Sequence, residues 1–346
     1  MKRSLVALAA LAAASAFAQS SVTLYGTVDA TLMYGSGDVA NKTQLGNSGL
    51  ASSEIGFKGV EDLGGGLKAG FILAGGVNND NGTGASTNTN NQSTGGSASG
   101  GFVFNRRSYL QMFGGFGEFR AGRDYTPAFW LEAIYDPFGI NGVGTSRAFQ
   151  GGANYTGVVA VRASNSYGWI SPSMSGFKVW AQGYMGENAS NVANSSAGNG
   201  GSFLLSYDQG PLSLGLGYGS TTTGANTDTQ VTNFGGTYNF GAGTLNAYVQ
   251  KNQATGQSDI NGYLIGGSVP VGAGLVRASF SNTDNGTAKT SQFALGYVYN
   301  FSKTTSMYGT FATVNNSGGA AAALNGSTTA VNGSSNGFDF GIAKKF

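Results

Sequence analysis

Along most of the chain, apolar and polar residues take turns. Val22, Leu24, Gly26, Val28, Ala30, Leu32 and Tyr34 fall on one face of an extended segment, and Thr23, Tyr25, Thr27, Asp29, Thr31 and Met33 on the other. Period two with one apolar face predicts a β-strand. Further on, Phe293, Leu295, Tyr297, Tyr299 and Phe301 alternate with Gln292, Ala294, Gly296, Val298 and Asn300. The aromatic residues collect toward the segment ends, where rings settle at a lipid–water boundary.

The connections between segments are of two kinds, and the kinds alternate. Short ones fall at residues 61–66, 114–117, 171–176, 208–211, 240–243, 270–274 and 301–304. Longer ones, rich in Gly, Ser, Asn and Thr, fall at residues 35–52, 77–101, 125–155, 186–199, 221–227 and 314–336. Tight turns on one side and extended loops on the other are the signature of strands that cross a bilayer up and down. Lipid offers no hydrogen-bond partner, so such a sheet must close on itself. The expectation is an all-β fold: a 16-stranded antiparallel transmembrane β-barrel with an inward-folded third loop, of a size that leaves a water-filled lumen. A soluble β-helix would show a short fixed repeat, and none is present.

The start of the chain reads as an export signal. Lys2 and Arg3 precede an apolar run over residues 5–14 and then Ala16-Phe17-Ala18, a basic region, a short core and a small-residue cleavage site. Residues 1–18 are thus expected to be a signal peptide and residues 19–346 the barrel. The apolar run is too short to span a bilayer. Phe338, Phe340 and Ile342 alternate toward a terminal Phe346, and an exported chain ending on such a strand points to a bacterial outer membrane.

Charge is sparse, at 10% of residues, and Lys2 and Arg3 account for the whole formal excess of +2. No basic surplus remains for nucleic acid. The chain has no Cys and no His. That excludes disulfides, thiolate or imidazole metal sites and serine–histidine hydrolysis. The glycine clusters lack the Lys-Ser/Thr sequel of a phosphate loop. No cofactor, metal or catalytic residue is expected.

A set of motifs, in order along the chain, carries a resemblance. They are Ser21-Val22-Thr23-Leu24-Tyr25-Gly26, Gly56-Phe57-Lys58-Gly59-Val60-Glu61-Asp62-Leu63-Gly64, Phe104-Asn105-Arg106-Arg107-Ser108, Gly122-Arg123-Asp124-Tyr125-Thr126-Pro127, and Leu295-Gly296-Tyr297-Val298-Tyr299-Asn300-Phe301. Together they resemble the general diffusion porins of β-proteobacteria. The resemblance implies sixteen strands, a homotrimer, a periplasmic N-terminus, a third loop narrowing the lumen and a second loop latching onto a neighbouring subunit. Glu54 departs from it, standing where such porins often carry an inward Arg. Ala343 and Lys344 also depart, as does the absence of a Pro-Glu-Phe-Gly-Gly stretch from the third loop.

A pore sorts solutes by size and field, so fixed charges on its wall are its chemistry. Arg106 and Arg107 are adjacent, and strict alternation would place only one in the lumen. The resemblance favours Arg106 as the inward one. Arg162 is either a wall residue or a rim ion pair. Glu54 and Lys58 share a face and are candidates to pair, with Lys58 alternatively solvated near the periplasmic mouth. Arg120 and Glu118 share a face and are lumen candidates, and Arg123 and Asp124 are candidates to tie the base of the third loop. Glu132 and Asp136 either supply a negative side facing Arg106 and Arg162 or fix the third loop through backbone hydrogen bonds. Phe129, Trp130, Tyr135 and Phe138 are expected to pack that loop on the inner wall.

The expected function is passive diffusion of small hydrophilic solutes and ions with weak ion selectivity, in contact with outer-membrane lipid. The alternatives are a solute-specific channel on the same barrel and a non-conducting adhesive or structural barrel.

Overall fold

The computed structural model describes residues 21–92, 97–98, 101–148, 161–224 and 227–346; the expected signal peptide lies outside these residues. Sixteen strands form the wall: β1 (Ser21–Gly37), β2 (Glu54–Gly64), β3 (Leu67–Asn78), β4 (Arg107–Gly114), β5 (Gly117–Tyr125), β6 (Arg162–Ile170), β7 (Phe177–Tyr184), β8 (Gly200–Gln209), β9 (Leu212–Gly224), β10 (Thr227–Asn239), β11 (Thr244–Ala254), β12 (Ile260–Val271), β13 (Gly274–Asp284), β14 (Lys289–Asn300), β15 (Thr305–Ser317) and β16 (Ser334–Lys345). A helix, α1 (Pro127–Tyr135), follows β5.

Each strand pairs antiparallel with the next, and the barrel closes where β16 pairs with β1, from Thr27↔Lys345 to Gly37↔Ser335. The seam is continued by reciprocal hydrogen bonds of 3.1 Å between the backbones of Gly26 and Phe346. The lower half of β1 pairs instead with β2, from Ser21↔Val60 to Thr27↔Glu54. The upper half is covered by a short strand, Lys42–Asn47, of the first loop. Among the described strands no edge is left in the bilayer, which lipid requires. No described helix is long and apolar enough to cross a membrane.

Short turns close one end, at residues 65–66, 115–116, 171–176, 210–211, 240–243, 272–273 and 301–304. The longer connections lie at the other end. Two further connections there, residues 255–259 and 285–288, are short and were not among the loops expected from the sequence.

The alternation is carried out in space. Leu24, Val28, Leu32, Leu245, Val249, Phe293, Leu295, Phe338, Phe340 and Ile342 are exposed on the outer face, while Asp29, Thr31, Asn246, Gln292 and Asp339 are buried inside. Phe116, Phe177, Tyr238, Phe240, Tyr299 and Phe301 ring the outer face near the short turns, the position of an interfacial girdle. A Lys or Arg placed on the outer face at mid-height would cost about 2–4 kcal/mol.

Candidate pore constriction

Pro127 opens α1 with its φ already set for a helix. Ala128, Leu131, Glu132 and Tyr135 recur at helical spacing and are buried against the wall. On the opposite face, Trp130 and Ile134 stay 36% and 47% exposed, facing the lumen. The helix runs along β8, β9 and β10. The third loop then continues past β11 to β16, so the described part, residues 126–148, crosses most of the inner wall.

That track is paved with glycine. A Cβ on Gly215 would lie 3.0 Å from Leu131, on Gly266 2.9 Å from Pro137, on Gly262 2.7 Å from Ala148 and on Gly296 3.0 Å from Phe138. These distances are tighter than side chains normally allow, so the absence of side chains is what lets the loop lie flat. Phe138 and Val143 pack with Ala294, Ala312, Val314 and Leu324 to complete the contact.

Both loop carboxylates are turned to the wall rather than toward Arg106 and Arg162. Glu132 accepts from the Asn233 side-chain amide at 3.3 Å. Burial pushes its carboxyl up to about 8, with the Asn233 hydrogen bond opposing and nearby Asp136 adding to the rise. Asp136 accepts the backbone N–H of Phe138 at 2.8 Å and of Ser146 at 3.0 Å. Burial pushes it up to about 6 against those hydrogen bonds and the nearby Arg277. The helical period explains the difference from a lumen-facing reading: Glu132 lies one position from Leu131 and four from Ala128, on the packed face. Arg147 is also buried, donating to Gln292 Oε1 at 2.8 Å.

The passage is bordered by arginines. Arg107 lies on the inner face of β4, level with Ala74. Arg106 precedes the strand, so strict alternation does not govern it, and its guanidinium turns inward. It donates to Ser53 O at 3.3 Å and lies 3.8 Å from the Glu54 carboxylate. Both arginines therefore face inward. Arg162 donates to Tyr125 Oη at 3.1 Å and stacks 4.5 Å from that ring's centre; Arg107 lies 5.2 Å from the same centre. Three guanidinium groups thus gather around Tyr125 with Glu54 as the one carboxylate paired among them.

Glu54 pairs with Arg106 and not with Lys58. Lys58 is exposed, with its ammonium 5.5 Å from the Tyr25 ring centre. Lower in the lumen, Arg120 bonds Glu118 at 2.7 Å and Asp124 at 2.8 Å and spans the Tyr109 and Trp180 rings. Arg123 holds the second loop, donating to Asn105 O at 2.7 Å and Asn88 O at 3.2 Å as well as to Ser164 Oγ at 2.7 Å. In that loop Asn91 donates to Ser164 O and Met185 O, so its described part rests on its own barrel.

A closed sixteen-stranded wall with a loop laid inside it and charges around the gap matches known proteins over nearly its whole length. Residues 4–319 match the model of a Gram-negative porin family.

The chain is a Gram-negative porin.

The porin is 37% identical to outer membrane porin protein 32 of Delftia acidovorans, over 91% of this chain and 90% of the relative. It is 28% identical to an outer membrane porin protein of Bordetella pertussis, over 89% and 93% of the two. Its fold superposes on the anion-selective porin from Comamonas acidovorans with a TM-score of 0.83 at 33% identity, over 95% of this chain and all of the other. The trimer form of OmpT from Vibrio cholerae shares the fold at a TM-score of 0.66 and 15% identity. The porin is thus an outer-membrane β-barrel of a channel-forming family.

Sequence reasoning missed several residues of the site. Tyr125 stands in the sequence reading as a motif member and a loop boundary, not as a site residue, yet it is the ring the arginines share. Asp29 and Asp339, on the inner faces of β1 and β16, anchor the first and third loops. Asp29 accepts the N–H groups of Leu50 and Ala51 at 2.7 and 2.8 Å. Glycines at inward positions of β9, β10, β12 and β14 were the available signal for the loop's track.

Proposed function

We propose that the porin is a passive aqueous channel for small hydrophilic solutes that prefers anions, rather than one of weak selectivity. The observation that carries this reading is the convergence of Arg106, Arg107 and Arg162 on Tyr125, opposed among the described residues by Glu54 and, at Arg107, by the buried Asp124, whose carboxylate is already paired with Arg120. Glu132 and Asp136, the other candidate counter-charges, are 4% and 3% exposed and are spent on the loop. Fixed charges act strongly in a narrow passage between low-dielectric walls, and guanidinium groups keep their charge there. The printed description of the Comamonas structure as anion-selective supports the same sign.

Solutes move down their gradients, and no residue is assigned a chemical step. Residues 1–18 are read as a signal removed on export, and the working unit as a homotrimer, by analogy with the trimer form of OmpT. Purified protein added to planar bilayers should give large stepwise conductance rising in proportion to bulk KCl conductivity. Absence of steps from correctly folded protein would refute the channel reading in favour of a closed structural barrel.

A further inference from the structure

Beneath α1, on the side of the short turns, the lumen holds a cavity of about 430 Å³, within the range of small-molecule sites. Its walls are unusual for a passage built for water. Trp130 and Ile134 project into it from the free face of α1, and Ile72, Ile170 and Trp180 face them from the barrel. The Trp130 ring centre lies 5.6 Å from that of Tyr125 and 6.4 Å from that of Trp180. Over a third of Trp130 is exposed although a wall of other rings stands beside it. A packing role alone would bury it, as Phe129 and Tyr135 are buried.

The charges at this cavity are unevenly spent. Arg120 is matched by Glu118 and Asp124. Asp208 accepts from Ser213 Oγ at 2.6 Å near the floor, where Lys178 also stands. Arg107 feels the carboxylates of Glu54 and Asp124 at longer range but is in no ion pair among the described residues, and its buried Nε has no hydrogen-bond partner. Its guanidinium and the Trp130 indole sit against the same Tyr125 ring.

We propose that this cavity is a binding subsite for aromatic carboxylates, with the carboxylate at Arg107 and the flat ring against Trp130. The proposal deepens the anion-channel reading and rests on it. A halide or a short aliphatic acid gains only the guanidinium. An arenecarboxylate gains ring contact as well, on the exposed face of Trp130. The subsite lies just past the arginine cluster for a solute entering from the loop side, so a bound ring lengthens residence and obstructs ion flow.

The test is block of chloride current in planar bilayers by benzoate, acetate and benzamide. Benzoate should half-block at a concentration roughly tenfold below that of acetate, and benzamide, which keeps the ring and loses the charge, should be weaker than benzoate. Trp130→Ala should bring benzoate to the level of acetate. Equal block by benzoate and acetate, equal block by benzamide and benzoate, or unchanged benzoate block in the variant would each overturn the proposal. Should the variant fail to fold, the wild-type porin decides. Trp130 and Trp180 line the cavity, while Trp169 bonds Phe116 O on another face. 4-Nitrobenzoate should quench tryptophan fluorescence saturably where nitrate does not; no saturable quench overturns the proposal. A channel that prefers anions yet ignores benzoate loses only this subsite, whereas cation preference would refute the channel reading itself.

Discussion

The carboxylate of Asp339 accepts the backbone N–H of Val143 at 2.7 Å, joining the last strand of the wall to the far part of the third loop. The same carboxylate takes the side-chain amide of Asn325 at 2.8 Å, so one inward residue of β16 secures two loops. Neighbouring β1 contributes Asp29 in the same way for the first loop.

Removing that acceptor should loosen the constriction without opening the barrel. Asp339→Ala leaves a buried N–H unpaired, at a cost of about 1–3 kcal/mol. Single-channel records should show more open-state noise and sub-states, while circular dichroism keeps its strand spectrum. A quiet trace like the wild type would mean that Phe138 and Val143 packing alone seats the loop.

The glycine track makes a steric prediction. Gly296→Val sets two methyl groups against Phe138 and the Thr310 hydroxyl, which already stand 3.0 and 2.8 Å from where a Cβ would be. Overpacking of this kind costs about 1–3 kcal/mol, and the third loop, held more weakly than the wall, should be the part that yields. Conductance should rise, and swelling of proteoliposomes should extend to larger sugars. Unchanged conductance would place the narrowing elsewhere.

The wall was legible in the sequence because its physics is local. Period two along Ser21–Gly37 and Lys289–Asn300 states which side meets lipid, and turn residues mark where each strand stops. The interior was less so, since a loop inside a barrel obeys contacts that sequence spacing does not encode. Arg106 and Arg107 illustrate this: alternation separates two residues of one strand, but Arg106 lies before the strand begins. Glu132 was ambiguous until α1 fixed its face. The pairing of Glu54 with Arg106 rather than Lys58 joins the first residue of β2 to the residue just before β4, and adjacency along β2 gave no hint of it.

Glu54 moderates the arginine cluster, so Glu54→Gln should strengthen anion preference. The expected change is a two- to fivefold rise in the anion-to-cation permeability ratio, roughly 0.5–1 kcal/mol in a wet passage. Screening should shrink it as salt is raised. Reversal potentials of variant and wild type in dilute KCl gradients measure this directly, and an unchanged ratio would put Glu54 outside the field that permeating ions feel.

The raised carboxyl of Glu132 gives a pH dependence with a definite sign. Its ordinary value is 4.5, and burial moves it to about 8 in the folded protein. Between those values the folded state holds a proton that the unfolded state has lost, so stability falls as pH rises. Below 4.5 the group has no effect, and above 8 its full destabilising effect is present. Glu132→Gln should therefore raise the thermal midpoint of unfolding at pH 9 by several degrees, leave it nearly unchanged at pH 4, and flatten the slope between. Parallel melts of the two proteins across this range would show it; parallel slopes would contradict the burial of the carboxyl.

The central claim is an aqueous passage governed by unbalanced arginines, and the zero-current potential across a bilayer separating dilute from concentrated KCl reads it in one number. The expected potential has the sign of chloride leading potassium, and it should collapse toward zero when Arg107 and Arg162 are both replaced by Gln. A potential of the opposite sign, or one unmoved by that double replacement, would contradict the account.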